Sequence, residues 1–259
     1  PMSDITSNTT HDDLASRLTL PRYPRSSAYD PRWTVENAMG PHALWLLEWL
    51  APALGLDSLR PGARVLDLGC GRAMTSVFLA REYDVRVTAA DLWIAPDDNA
   101  RCIAEAGLAD QVLPVLAEAH DLPFGQESFD AIVSIDAYHY FGDTEEMLPS
   151  LVPFVKKGGY IAVAVPGLKY EFGPNVPDEM QPFWNSEVER TLHSLGWWRD
   201  LWQRAEGIEM VDIREMACCE QAWKEWLTGY NPVVANDIRM MEAEGGKYFD
   251  FVQLIAKVV

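Results

Sequence analysis

From residue 61 onward the chain alternates short apolar runs with amphipathic stretches, and this alternation narrows the possible folds more than any other feature. Residues 63–68, 85–91, 111–116, 129–135 and 159–165 are rich in β-branched residues and nearly continuously hydrophobic, as strands covered by helices on both faces must be. Between them, 74–82, 97–106 and 143–155 have helical length and polarity. Strands alternating with helices specify a parallel, doubly wound α/β sheet. The rhythm breaks after Pro166: residues 167–187 are rich in Pro, Gly and aromatics and too long for an ordinary connection. They read as an inserted cover over a substrate site. A helix over 195–206 ending at Gly207, a strand over 208–216, a helical stretch over 219–243 broken at Pro232 and a last strand over 248–258 follow.

On the N-terminal side, Pro41 suits the first position of a helix running to about residue 54. Residues 2–27 carry Ser, Thr, Asp and Pro without sustained periodicity, and Pro1 ahead of Met2 reads as an added residue. The expected organisation is a loosely ordered arm over 1–27 and a single domain over 28–259. That domain has a cap helix within 28–58, a cover over 167–194 and a helical insertion over 219–245.

The segment Val65-Leu66-Asp67-Leu68-Gly69-Cys70-Gly71-Arg72-Ala73 lies where the first strand turns into the first helix of the sheet. Glycines there let a ligand approach the backbone, and the strand ends of an open parallel sheet are where such folds bind cofactors. The dinucleotide pattern GxGxxG would need glycine at Met74, which weighs against an NAD-dependent oxidoreductase. Asp91 follows the second apolar run, where a carboxylate can accept hydrogen bonds from both hydroxyls of a ribose.

These residues resemble the class I S-adenosylmethionine-dependent methyltransferases, in the group that includes ubiquinone-biosynthesis and other small-molecule enzymes. The resemblance rests on VLDLGCGRA at 65–73, AADLW at 89–93, EAHDLPF at 118–124, FDAIVSIDAYHYF at 129–141 and KKGGYIAVAVPG at 156–167, and covers roughly residues 60–215. It implies a Rossmann-like, mostly parallel seven-stranded sheet with an antiparallel last strand, and S-adenosylmethionine as cofactor. It further implies that Asp67 and the backbone from Gly69 through Cys70 to Gly71 hold the methionine end, that Asp91 takes the ribose, and that Leu92 packs on the adenine. Glu118 and Ala119 flank the adenine edge, with His120 as a neighbouring contact, and Asp136 borders the methionine moiety and the acceptor. Two positions depart from the pattern: Ala73 where a third glycine is common, and Glu118 where Asp is usual.

Methyl transfer is an in-line displacement at an activated sulfonium, so the protein must align the nucleophile and desolvate the site. A base is needed only where the acceptor carries a proton at neutral pH. His139 is the first candidate, because imidazole titrates near neutrality and the position follows the fourth strand. Asp136 could instead orient an acceptor amine or hydroxyl, and Tyr29 is the next residue to consider. Tyr29, Trp33 and Met39 are candidates for a lid, with ordinary packing as the plainer role. Trp198 and Trp202 stand one helical turn apart, as do Trp223 and Trp226; that spacing is the mark of core packing, so only one or two tryptophans are expected at the site.

Charge narrows the acceptor. Twenty-one Lys and Arg against 39 Asp and Glu give a net charge of −18, a field that repels nucleic-acid phosphates and anionic lipid surfaces. A small-molecule acceptor is the expected partner, and a homodimer is compatible with the sequence. No apolar run approaches the roughly 20 residues of a membrane span, and 3–13 lack the apolar stretch of a secretion signal. Cys70, Cys102, Cys218 and Cys219 have no disulfide or zinc spacing, which fits the cytoplasm. No metal cluster and no GxSxG elbow is present in the sequence. The alternative from another class is a non-catalytic, methyltransferase-like cofactor-binding subunit.

Overall fold

The structure, a computed structural model, describes residues 10–228 and 234–259. In chain order the helices are α1 (His11–Leu18), α2 (Pro31–Asn37), α3 (Ala43–Leu54), α4 (Met74–Tyr83), α5 (Pro96–Glu105), α6 (Met147–Leu151), α7 (Ser186–Thr191), α8 (Leu195–Gln203), α9 (Cys219–Trp226) and α10 (Ala235–Glu244). The strands are β1 (Arg64–Leu68), β2 (Arg86–Asp91), β3 (Val112–Leu116), β4 (Phe129–Ile135), β5 (Val155–Leu168), β6 (His193–Ser194), β7 (Ile208–Glu215) and β8 (Phe249–Val258). They form one sheet in the order β3-β2-β1-β4-β5-β8-β7, with the two-residue β6 beside the end of β5. β1 to β5 pair in parallel, while β8 runs antiparallel to both β5 and β7. This is the doubly wound architecture that the apolar alternation predicts, with the last strand reversed.

Strand side chains alternate between two core layers. Val65, Val87, Ala131 and Val133 pack under α3 and α4 with Leu44, Leu47 and Phe78. Leu66, Ile132, Ile161 and Val163 face the other way, onto Trp198 and Trp202 of α8 and onto Tyr138. Both tryptophans are fully buried, as their one-turn spacing predicts.

Differences from the sequence reading have local causes. Part of the segment read as a loose arm is helical: Thr10 and Asp13 cap α1 reciprocally, Leu14 and Leu18 are buried, and Arg17 pairs with Glu225 of α9 at 3.0 Å. Residues 1–9 and Pro232 lie outside the described residues. α3 begins after His42, whose Nδ1 accepts from the Trp45 N–H at 3.3 Å, so Pro41 stands outside the helix instead of opening it. α6 is short because Pro149 and Pro153 interrupt the stretch. β5 extends beyond 159–165 because β8 continues to pair with it as far as Leu168↔Phe249. Within 167–194 the cover carries α7 and β6, and its Phe172 and Met180 pack on Tyr248 and Phe249 in a small separate core.

Candidate functional site

β1 ends in a loop that three left-handed residues bend back on itself: Gly69 at φ 75°, Gly71 at 54° and Ala73 at 59°. Gly69 and Cys70 N–H donate to the Ala90 carbonyl at 2.8 and 3.1 Å, tying the loop to β2. A Cβ at Gly69 would stand 2.4 Å from the Ala137 methyl, so no larger residue fits between the ends of β1 and β4. Alanine at 73, where the pattern favours glycine, takes the left-handed conformation itself. Buried Asn99 of α5 holds the loop from the far side, its Nδ2 donating to the Gly71 carbonyl at 3.0 Å.

Asp91 stands at the end of β2 and orders what surrounds it. Its Oδ2 accepts from Gly71 N–H at 2.8 Å, and its Oδ1 from Trp93 and Ile94 N–H at 2.7 and 2.9 Å. Asp67, although in the same motif, faces away. Its Oδ2 accepts from the Thr75 and Ser76 hydroxyls, each at 2.6 Å, behind the loop. Burial pushes its carboxyl up to about 6. The structure thus makes Asp67 a brace between β1 and α4, outside the cavity wall.

A cavity of about 310 Å³ opens in front of the loop, within the range of small-molecule sites. Gly69, Cys70, Gly71, Asp91, Leu92, Glu118, Ala119, His120 and Asp136 all line it. Leu92 and Trp93 are 52% and 66% exposed at its rim, apolar surface suited to a planar ring. Glu118 is engaged by its neighbour: its Oε1 meets His120 Nδ1 at 2.7 Å, a hydrogen bond that lowers its pKa. A backbone cradle closed to side chains, a buried carboxylate at the strand end and an exposed apolar rim suit the groups of S-adenosylmethionine: an amino-acid end, a ribose and an adenine.

A second cavity of about 560 Å³ adjoins the first, and Met39, Gly40, Pro41, Asp136 and Tyr140 line both. Asp136 has φ 56°, and its carboxylate faces both cavities with no hydrogen bond or ion pair among the described residues. Burial, followed by the charge of Asp237, pushes its pKa well above the usual carboxylate range. His139 lines the second cavity but is 4% exposed, and burial with nearby Arg190 depresses it to about 3. Desolvation therefore moves these two candidates in opposite directions, strengthening Asp136 as a proton acceptor and weakening His139. Tyr29 lines neither cavity. Its hydroxyl donates to Glu82 at 3.1 Å and its ring packs on Trp33 and Phe78.

The sequence reading misses the α2–α3 connection as part of the site. Met39, placed there only as a lid candidate, covers the glycine loop, its Sδ lying 3.0 Å from where a Gly71 Cβ would be. A Cβ on Gly40 would fall 2.2 Å from Asp136 Oδ2, so glycine lets this connection close over the carboxylate. Trp93, Tyr140, Asp237 and Trp223 also enter the walls. Of these, Trp93 sits within a quoted motif and carried a signal; Asp237 did not.

Residues 65–159 match a family model described as a methyltransferase domain. The chain is 32% identical over 171 residues to the O-methyltransferase rstn1 of Aspergillus nomiae, covering 62% of this chain and 71% of that protein. It is 25% identical over 157 residues to the methyltransferase GfsG of Streptomyces halstedii, covering 60% of this chain and 56% of that one. Of two further curated relatives it spans 40% and 41%. Among solved structures, a Geobacter sulfurreducens S-adenosylmethionine-dependent methyltransferase in complex with S-adenosylhomocysteine superposes with a TM-score of 0.63 at 20% identity, over 93% of this chain and 100% of that one. This last likeness is one of fold.

Proposed function

Since the chain belongs to the class I S-adenosylmethionine-dependent methyltransferases, we propose that it transfers a methyl group from S-adenosylmethionine to a small molecule held in the second cavity. The observation that carries this reading is the shared wall. Asp136, Tyr140 and the Met39–Gly40–Pro41 connection border both cavities, so a group at the inner end of one faces a group in the other.

The backbone of Gly69, Cys70 and Gly71 would hold the amino-acid end, Asp91 the ribose hydroxyls, and Leu92 with Trp93 the adenine. S-adenosylmethionine, when bound, supplies a methyl group already activated on a sulfonium. The chain's own residues then have three tasks. Met39, Pro41 and Tyr140 exclude water from the junction, which strengthens every electrostatic interaction there. Asp136, raised in pKa and without a hydrogen-bond partner among the described residues, takes the proton of an acceptor that carries one. His139, held neutral, offers a hydrogen-bond site that orients the acceptor without adding positive charge.

A small molecule is favoured over nucleic acid by the net charge of −18 and by the size of the two adjoining cavities, about 310 and 560 Å³. Cytoplasmic residence is favoured by four unpaired, buried cysteines; among the described residues no helix is long and apolar enough to cross a membrane. The test is incubation of the purified protein with methyl-labelled S-adenosylmethionine and fractionated metabolite extracts. A labelled product one methylene heavier than its precursor, absent from the Asp136→Asn variant, is expected. Binding of S-adenosylhomocysteine with no labelled product from any fraction would favour a non-catalytic cofactor-binding subunit.

A further inference from the structure

The second cavity carries a charge pattern that methyl transfer by itself does not require. Asp136, Glu187, Asp237 and Asp250 stand in its wall against one guanidinium, Arg239. They come from the end of β4, from α7, from α10 and from β8, yet three of them converge. Burial first, and then the charges of Asp136, Glu187 and Asp237, push the Tyr140 hydroxyl up to about 12. The nearest other guanidinium, Arg190, is held at 3.1 Å by Asp143 and at 3.2 Å by the Tyr140 carbonyl. Asp237 accepts a hydrogen bond from Trp226 Nε1 at 2.7 Å, which leaves most of its acceptor capacity unused. Asp136, Asp237 and Asp250 are half-buried and Glu187 is exposed; gathering acids in one partly desolvated wall is costly, and that cost falls when a cation enters.

The acids are not the only groups left open. His139, 4% exposed, lines the same cavity, and among the described residues its Nδ1 has no hydrogen-bond partner. Buried polar atoms are nearly always satisfied, and the nitrogen of a neutral imidazole is an acceptor that an ammonium N–H can meet. Tyr140, Phe183, Trp223 and Phe249 supply aromatic surface on that wall, which attracts cations through the ring faces.

We propose that the second cavity recognises a small organic ammonium compound, with Asp136 and Asp237 as its counter-charges. The inference rests on the methyl-transfer reading in one respect, that the ammonium ligand and the acceptor are the same molecule. An organic cation fits better than a metal ion, because among the described residues no three His, Cys, Asp or Glu side chains group as metal ligands. It also fits better than an anion, which would face four carboxylates with Arg239 alone in support.

The test uses the full chain saturated with S-adenosylhomocysteine. A graded series of primary ammonium compounds, from ethylammonium to phenethylammonium, is titrated calorimetrically beside the matching alcohols. The ammonium member of at least one pair should bind about tenfold or more tighter than its alcohol. Asp237→Asn should bring that ratio close to one while S-adenosylhomocysteine affinity and melting temperature hold, because the amide oxygen can still accept from Trp226; Asp237→Glu should keep the preference. Equal binding of alcohol and ammonium, no binding by any pair, or a preference that survives Asp237→Asn overturns the inference and leaves methyl transfer standing. Failure of S-adenosylhomocysteine itself to bind overturns the cofactor reading instead, and the series repeated without it then reads the ammonium preference alone.

Discussion

Gly40→Ala isolates the junction between the two cavities. The new Cβ would lie 2.2 Å from Asp136 Oδ2 and 3.4 Å from its Cγ. Ordinary contact requires the oxygen to retreat by about 1 Å. Gly40 is outside the left-handed region, so alanine costs the backbone little, and the position is half-buried in a connection. Stability should therefore change by less than about 1 kcal/mol. Within 4 Å the added methyl meets only Asp136 and no atom of the glycine loop or Asp91, so S-adenosylhomocysteine affinity should stay within about threefold. Displacing the group that takes the acceptor's proton by about 1 Å should lower the single-turnover rate about 10²-fold, close to 2.7 kcal/mol in the barrier. The assay is single-turnover transfer from labelled cofactor, with calorimetry and thermal melting on the same samples. In an Asp136→Asn background the added Gly40→Ala should cost little more, since the affected group is already gone. A normal rate for Gly40→Ala, with intact folding, would refute the role given to Asp136.

Three further outcomes follow from the same geometry. The raised pKa of Asp136 places the acid limb of the turnover profile above the usual carboxylate range, with activity falling as pH drops through it; a limb near pH 4 or below, read from the pH dependence of kcat, would contradict this. Trp202→Ala removes a fully buried ring and should cost about 3–5 kcal/mol in denaturant unfolding, whereas a loss under about 1 kcal/mol would mean that the α8 layer is not core. Tyr29→Phe deletes only the hydrogen bond to Glu82, so turnover should be unchanged and stability lower by about 1 kcal/mol; a large rate loss would return Tyr29 to the site.

Much of this molecule is legible in its sequence where local chemistry and position coincide. The strands could be read because burial on both faces forces continuous hydrophobicity, and Asp91 because a carboxylate at that strand end serves the ligand and the backbone together. Asp67 marks the limit of motif reading. Its residue type suits a ligand contact, but its orientation is set by Thr75 and Ser76 on the following helix. His139 marks another limit: its type suggests a base, while the burial that weakens it is a product of tertiary packing. Gly40 carries no local signal at all, because its importance lies in a tertiary contact with Asp136. The same holds for Asp237, whose place beside Asp136 depends on how α10 packs.

The most direct measurement is calorimetric titration of S-adenosylhomocysteine into the wild-type chain and into Asp91→Ala. One site per chain is expected, with affinity lower by at least about 10²-fold in the variant, as removal of a charged acceptor from several hydrogen bonds implies. Tight binding of NAD with no response to S-adenosylhomocysteine, or S-adenosylhomocysteine affinity unchanged by Asp91→Ala, would contradict the assignment of this cleft.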